Sequence, residues 1–172
     1  MQALTTGVSK TLLIVYHSHT DGTRQMAGAA RAGACAAEGG TAVRLVHAQH
    51  AGPRDVMAAD GYLFATPECL AAMSGLLKDF FDRSYYDVIG QVNGRPYASL
   101  ICAGTDGSNA ARQIARIATG WRLRPVAEPL IVCTRAQSTE EIMRTKHIGA
   151  DDLTRCRELG AALATGLAMG VF

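Results

Sequence analysis

The chain has 172 residues, 48% hydrophobic, 19% charged and 6% aromatic, a size and composition for one domain with a real core. Its 17 Lys and Arg against 15 Asp and Glu leave a net charge of +2, with no run of like charge to favour a nucleic acid or a membrane surface. No apolar stretch approaches a bilayer span, residues 1–10 lack a signal-peptide core and read as a flexible tail, and 5 scattered Cys fit reduced thiols in a cytoplasmic protein without structural zinc.

In chain order, residues 11–16 (TLLIVY) form a short β-rich run that reads as a buried parallel strand. Met26, Ala29, Ala30, Gly33, Ala34 and Ala37 follow at helical spacing. All but Met26 are small, so this helix can lie close against a sheet. Glu38-Gly39-Gly40 stops it. Residues 41–46 read as a second strand, 55–59 as a short helix, and 61–65 (GYLFA) as a third strand. Met73, Leu76, Leu77, Phe80 and Phe81 then make a helical stripe. After the Asn93-Gly94 turn, residues 96–102 read as the fourth strand. Ala110, Ile114, Ile117, Ala118 and Trp121 form another helical face, and residues 130–133 the fifth strand. Residues 139–144 are a candidate short helix. The last helix spans about 151–169, with Cys156, Leu159, Gly160, Leu163 and Leu167 inward. Strands alternating with helices in pieces this short predict a three-layer open α/β sandwich, one domain over residues 1–172.

Such a sheet binds ligands beyond the carboxyl ends of its strands. Three loops fall there: residues 17–23, 66–75 and 103–109. The first places the hydroxyls of Ser18, Thr20 and Thr23 before a helix whose free N–H groups and dipole attract an anion, a neutral cradle for phosphate. Plain capping by Thr20 accounts for the same residues equally well. That loop has no Lys. Neither GxxxxGK[ST] nor GxGxxG is present, which argues against a P-loop or a dinucleotide fingerprint.

Ser18-x-Thr20-x-x-Thr23 resembles the phosphate loop of flavodoxin-like proteins. Thr66-Pro67-Glu68, followed by Met73-Ser74-Gly75-x-x-Lys78-Asp79-Phe80-Phe81-Asp82-Arg83, is similar to the second flavin-contacting segment of the NAD(P)H-dependent FMN reductase and quinone reductase branch. Ala103-Gly104-Thr105-Asp106-Gly107 sits where that superfamily has its third flavin loop. The resemblance covers residues 11–133 and implies a flavodoxin-like, five-stranded parallel sheet of order 2-1-3-4-5 with one FMN. It implies that Ser18, Thr20, Asp21, Gly22 and Thr23 meet the phosphate. Thr66, Pro67, Glu68, Cys69, Leu70 and Met73 would meet the ring, and Gly104, Thr105, Asp106 and Gly107 would close its other side. Asp21 stands where the family usually has Gly. Asp tolerates positive φ, and Arg24, His17 and His19 are the nearby groups able to offset its charge.

The implied activity is two-electron transfer from NADH or NADPH to a small acceptor such as a quinone or free flavin. The flavin carries the chemistry and no catalytic side chain is required. Two other readings stand beside it: a flavodoxin-type electron carrier, and a flavin-free binding module. The slight positive charge and the lack of Trp, Tyr or Phe in residues 67–72 and 104–109 favour the reductase over the carrier. Receiver domains, Cys-x5-Arg phosphatases and Gly-x-Ser-x-Gly hydrolases fail for want of their residues. Cys69 reads as a small packing residue rather than a redox thiol. His17 and His19 lack a third metal ligand at sensible spacing. Glu68 and Asp106 suit ring or ribityl contacts and turn roles alike. Residues 134–150 suggest a lid or a dimer contact, and a homodimer is the expected state.

Overall fold

The computed structural model describes residues 9–172. Most of the tail expected at 1–10 therefore lies outside the described residues. Ser9 and Lys10 are tied to the body: Ser9 Oγ donates to Gly40 O at 2.7 Å and Lys10 Nζ pairs with Asp60 at 3.0 Å.

The elements are β1 (Thr11–Tyr16), α1 (Gly22–Ala36), β2 (Ala42–His47), α2 (Pro53–Ala58), β3 (Gly61–Cys69), β4 (Ala72–Met73), α3 (Gly75–Val88), β5 (Pro96–Ala103), α4 (Ser108–Gly120), β6 (Arg124–Pro125), β7 (Leu130–Cys133), α5 (Thr139–Met143) and α6 (Ala150–Met169). The open sheet runs β2-β1-β3-β5-β6, with β7 also on β5. All these pairs are parallel. This is the expected flavodoxin-like order, with the fifth position shared by two pieces. β6 pairs with the start of β5 and β7 with its end. Pro125 and Pro129, lacking N–H donors, bound the gap between them.

Alternate residues of β1 explain the layers. Leu13 and Val15 enter a core with Phe64, Phe80, Phe81 and Trp121 under α2, α3 and α4. Leu12 and Ile14 enter the opposite core with Met26, Ala30, Cys156 and Leu163 under α1 and α6. Gly39 and Gly40, at φ 108° and 71°, follow α1 as the sequence requires.

Two expectations need correction. The third strand does not stop at Ala65 but continues to Cys69, because Glu68 and Cys69 pair antiparallel with Met73 and Ala72 in a hairpin. Met73 is therefore a strand residue and not the first position of the helical stripe. The helix starts after Ser74, whose Oγ accepts from Leu77 N at 3.4 Å. Its buried face is Leu77, Phe80, Phe81, Ser84 and Val88, and Leu76 is exposed.

Candidate functional site

Beyond the carboxyl ends of β1, β3 and β5 lies a cleft of about 580 Å³, within the range of small-molecule sites. Its first wall is the loop between β1 and α1. Ser18, Thr20, Gly22 and Thr23 all line it. Thr20 does not cap the helix. Ser18 Oγ instead accepts from Arg24 N at 3.2 Å, and Asp21, at φ 71°, is the cap residue without a side-chain capping bond. A Cβ added at Gly22 would lie 2.6 Å from Cys102 Sγ, so this close approach needs glycine. Thr23 is 1% exposed, and its Oγ1 has no hydrogen-bond partner among the described residues. The N–H groups of Gly22 and Thr23, in the first turn of α1, likewise find no protein acceptor among the described residues. A buried hydroxyl and free amides at one helix start form a cradle suited to an anion.

Asp21 does not line this cleft. Its carboxylate is ion-paired with Arg24 Nε and accepts from Arg24 Nη2 at 3.0 Å and Gln25 Nε2 at 3.1 Å. Those hydrogen bonds, Arg24 foremost, hold the Asp21 carboxyl below the usual range. The charge is therefore offset by Arg24 and Gln25, and neither His17 nor His19 is needed for it. His17 is buried, its Nδ1 unpartnered, and its ring edges onto His19 at 4.6 Å and His47 at 5.5 Å. Burial, then His19 and His47, push its pKa down to about 4. Among the described residues no three His, Cys, Asp or Glu are placed to hold a metal ion.

The second wall is the β3–β4 hairpin, where Pro67, Glu68, Cys69 and Leu70 line the cleft. Its two-residue turn is Leu70-Ala71, at φ 49° and 59°, a left-handed pair usually given to Asn or Gly. Glu68 Oε1 accepts from Gly107 N at 3.0 Å, joining this hairpin to the start of α4, and Oε2 is buried without a partner among the described residues. Burial, then Glu68, raise the Cys69 pKa, so its thiol is kept protonated rather than activated. Thr66 and Met73 stand outside the lining. Thr66 Oγ1 accepts from Ser74 N at 2.9 Å, and Met73 N donates to Gln113 Oε1 at 2.8 Å, so both shape the hairpin.

In the third loop, only Gly104 of the four expected residues lines the cleft. Thr105 is exposed. Asp106 Oδ2 accepts from Ser108 Oγ at 2.7 Å, a local turn contact. Gly107, at φ 81°, is the cap residue of α4.

Residues 134–150, expected as a lid or a dimer contact without any named site residue, add a further wall. The chain after β7 arches over the cleft and supplies Thr134, Ala136, Ile142, Met143 and Lys146 to it. Lys146 N donates to Thr20 O at 2.7 Å, so a lysine does reach the phosphate loop, through its backbone. Gln25 clasps this arch: Nε2 donates to Lys146 O at 2.7 Å and Oε1 accepts from Ile148 N at 3.1 Å. Ser138-x-x-Glu141 is a further sequence signal there, a capping box that the structure forms. Gln25→Leu is expected to cost about 1–2 kcal/mol by stranding both partners. Tryptic cleavage at Arg135, Arg144 or Lys146 should accelerate at least severalfold; an unchanged cleavage rate would show that the clasp does not hold the arch.

The family profile described as NADPH-dependent FMN reductase matches residues 24–136. The chain belongs to that family. FMN is the cofactor that this membership supports. A curated relative named flavodoxin, from Aquifex aeolicus (strain VF5), is 36% identical over 93 residues, 54% of this chain and 50% of that protein. The chain thus matches about half the length of that relative. Among solved structures, the flavodoxin WrbA-like protein from Agrobacterium tumefaciens has a TM-score of 0.72 at 19% identity, covering 94% of this chain and 99% of that one. Oxidised flavodoxin 1 from Bacillus cereus has a TM-score of 0.74 at 14% identity, covering 92% and 99%. These structures establish the fold. Among the described residues no helix is long and apolar enough to cross a membrane.

Proposed function

We propose that the protein is an FMN-dependent NAD(P)H oxidoreductase that passes two electrons to a small acceptor such as a quinone or free flavin. The observation that carries the cofactor assignment is the cradle at the start of α1, where the buried, unpartnered Thr23 hydroxyl meets free amide donors. A phosphate ester supplies the acceptor oxygens that these donors lack. Ser18, Thr20, Gly22 and Thr23 would hold that phosphate, while Pro67, Glu68, Cys69 and Gly104 would flank the ring. Bound FMN supplies the hydride chemistry. The protein's own part is to bind, orient and tune it.

The name of the Aquifex relative supports the carrier reading. Against it, among the described residues no Phe, Tyr or Trp lines the cleft, so the space beside the ring site is left for a second planar molecule. The net charge of +2 also lacks the acidity of a carrier that docks on basic partners.

Turnover separates the readings. FMN-loaded protein should oxidise NADH or NADPH in the presence of a benzoquinone or excess FMN. Protein that retains FMN yet oxidises neither nicotinamide would establish the carrier instead. Thr23→Val, close in volume but without the hydroxyl, should weaken FMN binding about tenfold, read by quenching of FMN fluorescence.

A further inference from the structure

We propose that Lys146 is the counter-charge of the bound phosphate, and that through it the phosphate fastens the arch of residues 134–149 over the cleft. The proposal rests on the FMN reading above and assigns a binding residue that lies outside the phosphate loop.

The chain has three lysines. Lys10 pairs with Asp60 and Lys78 with Asp82. Lys146 is half-buried, and among the described residues it has no carboxylate within ion-pairing distance. No other Lys or Arg among the described residues lines the cleft. Glu68, the one carboxylate in that lining, accepts from Gly107 N instead. A cation at a cleft without an anion of its own leaves a positive field for a ligand to meet.

Its place suits the phosphate. Lys146 N donates to Thr20 O at 2.7 Å, and a Cβ added at Gly22 would lie 3.3 Å from Lys146 Cβ, so the residue packs on the phosphate loop itself. Cys102 Sγ would stand 2.6 Å from the same added Cβ. Burial pushes the Cys102 thiol up to about 11, and the Lys146 charge acts against that push, so its field reaches the floor of the cradle. The hydroxyls and amides at the start of α1 give direction without charge. A phosphate monoester carries about −1.5 to −2 at pH 7, and an ammonium beside a partly dry cradle offsets it.

The same ammonium carries the arch. Lys146 Nζ donates to the carbonyls of Glu141, Ile142 and Arg144, each at 2.7 Å. Helix α5 has no buried residue of its own, and Ile148 is the buried anchor behind it. What holds α5 over the cleft is therefore this ammonium together with the Gln25 clasp. Attraction to a phosphate restrains the ammonium, and the ammonium restrains the three carbonyls. A ligand that binds better beneath a fastened arch must, by linkage, tighten that arch. Riboflavin lacks the charge and so lacks this hold.

The test titrates the cofactor-free full chain with FMN and with riboflavin, as the parent, as Lys146→Gln and as Lys146→Arg. Lys146→Gln should weaken FMN at least about tenfold and leave riboflavin within about twofold, while Lys146→Arg should keep FMN within about threefold of the parent. The loss in Lys146→Gln should shrink in high salt, which screens the charge that the parent uses. Hydrogen exchange of the amides in residues 137–149 should slow severalfold when the parent is saturated with FMN, and much less when Lys146→Gln is saturated with it. Unchanged FMN affinity in Lys146→Gln would overturn the proposal. So would an equal loss for both flavins, which marks a purely structural role, or FMN that binds the parent without slowing exchange in the arch. Should the parent bind no FMN at all, the cofactor reading falls as well. FMN bound at one per chain with none of these Lys146 effects would overturn the counter-charge alone.

Discussion

Gly160→Ala is expected to destabilise the protein by about 3 kcal/mol or more, although alanine is the better helix former by about 1 kcal/mol. Helices α1 and α6 make the most extensive contact between elements of the fold. At their crossing a Cβ on Gly160 would overlap the Ala30 carbonyl, only 2.6 Å from its carbon. A Cβ on Gly33 would overlap the Arg157 carbonyl in the same way, 2.7 Å from its carbon. The neighbour in each case is backbone, so relief requires the helices to separate and opens the core around Met26, Cys156 and Leu163. Gly28, also inside α1, has nothing within 4 Å of its added Cβ. Gly28→Ala should therefore stabilise by about 0.5–1 kcal/mol. Urea denaturation of the two variants decides the matter. Equal effects would show that backbone contact does not set the helix crossing.

Acidification should weaken the fold between about pH 6.5 and pH 4, by about 2–3 kcal/mol, through His17. Its pKa falls from an ordinary 6.5 to about 4 in the folded chain, first because it is buried and then because His19 and His47 lie beside it. A depressed folded-state pKa means that the unfolded chain binds the extra proton in this window. The contribution is thus fully present above pH 6.5 and lost as pH falls through the folded value. His47, whose pKa is also lowered by burial and by His50, adds in the same direction. His17→Phe keeps an aromatic ring among these neighbours and removes the titration. It should flatten much of the slope of stability against pH between 6.5 and 4. An unaltered slope in that variant would remove His17 from the account.

The fold was legible because its signals are local and repetitive. Residues 11–16, with apolar side chains on both faces, read as a strand covered twice, whereas the small residues of α1, read as facing a sheet, also serve a close contact with α6. The proposed phosphate cradle was legible for a similar reason: three hydroxyls fall within six residues around a helix start. The ring side of the cleft was harder to read. Thr66 and Pro67 continue β3 along β5, and Glu68 and Cys69 pair with a partner only two residues long, too short to show a period in the sequence. Thr66, Met73, Asp106 and Gly107 follow the motif in sequence but stand back from the cleft, since the hairpin and the start of α4 use their side chains, amides or turns, and Thr105 is exposed outside it. The length of residues 134–150 suggested a lid or a dimer contact, but not which residues would line the cleft. The position of this arch depends on Gln25 and Thr20, over a hundred residues earlier, and on main-chain bonds that no side-chain pattern encodes.

The central claim is that uncharged donors at the start of α1 hold a phosphate ester. Calorimetric titration of the cofactor-free protein with FMN and, separately, with riboflavin tests it most directly, since the two ligands differ only in that group. FMN should bind at one per chain and at least about a hundredfold more tightly than riboflavin, as expected when several buried donors gain charged acceptors. Equal affinities, or no heat with FMN, would contradict it.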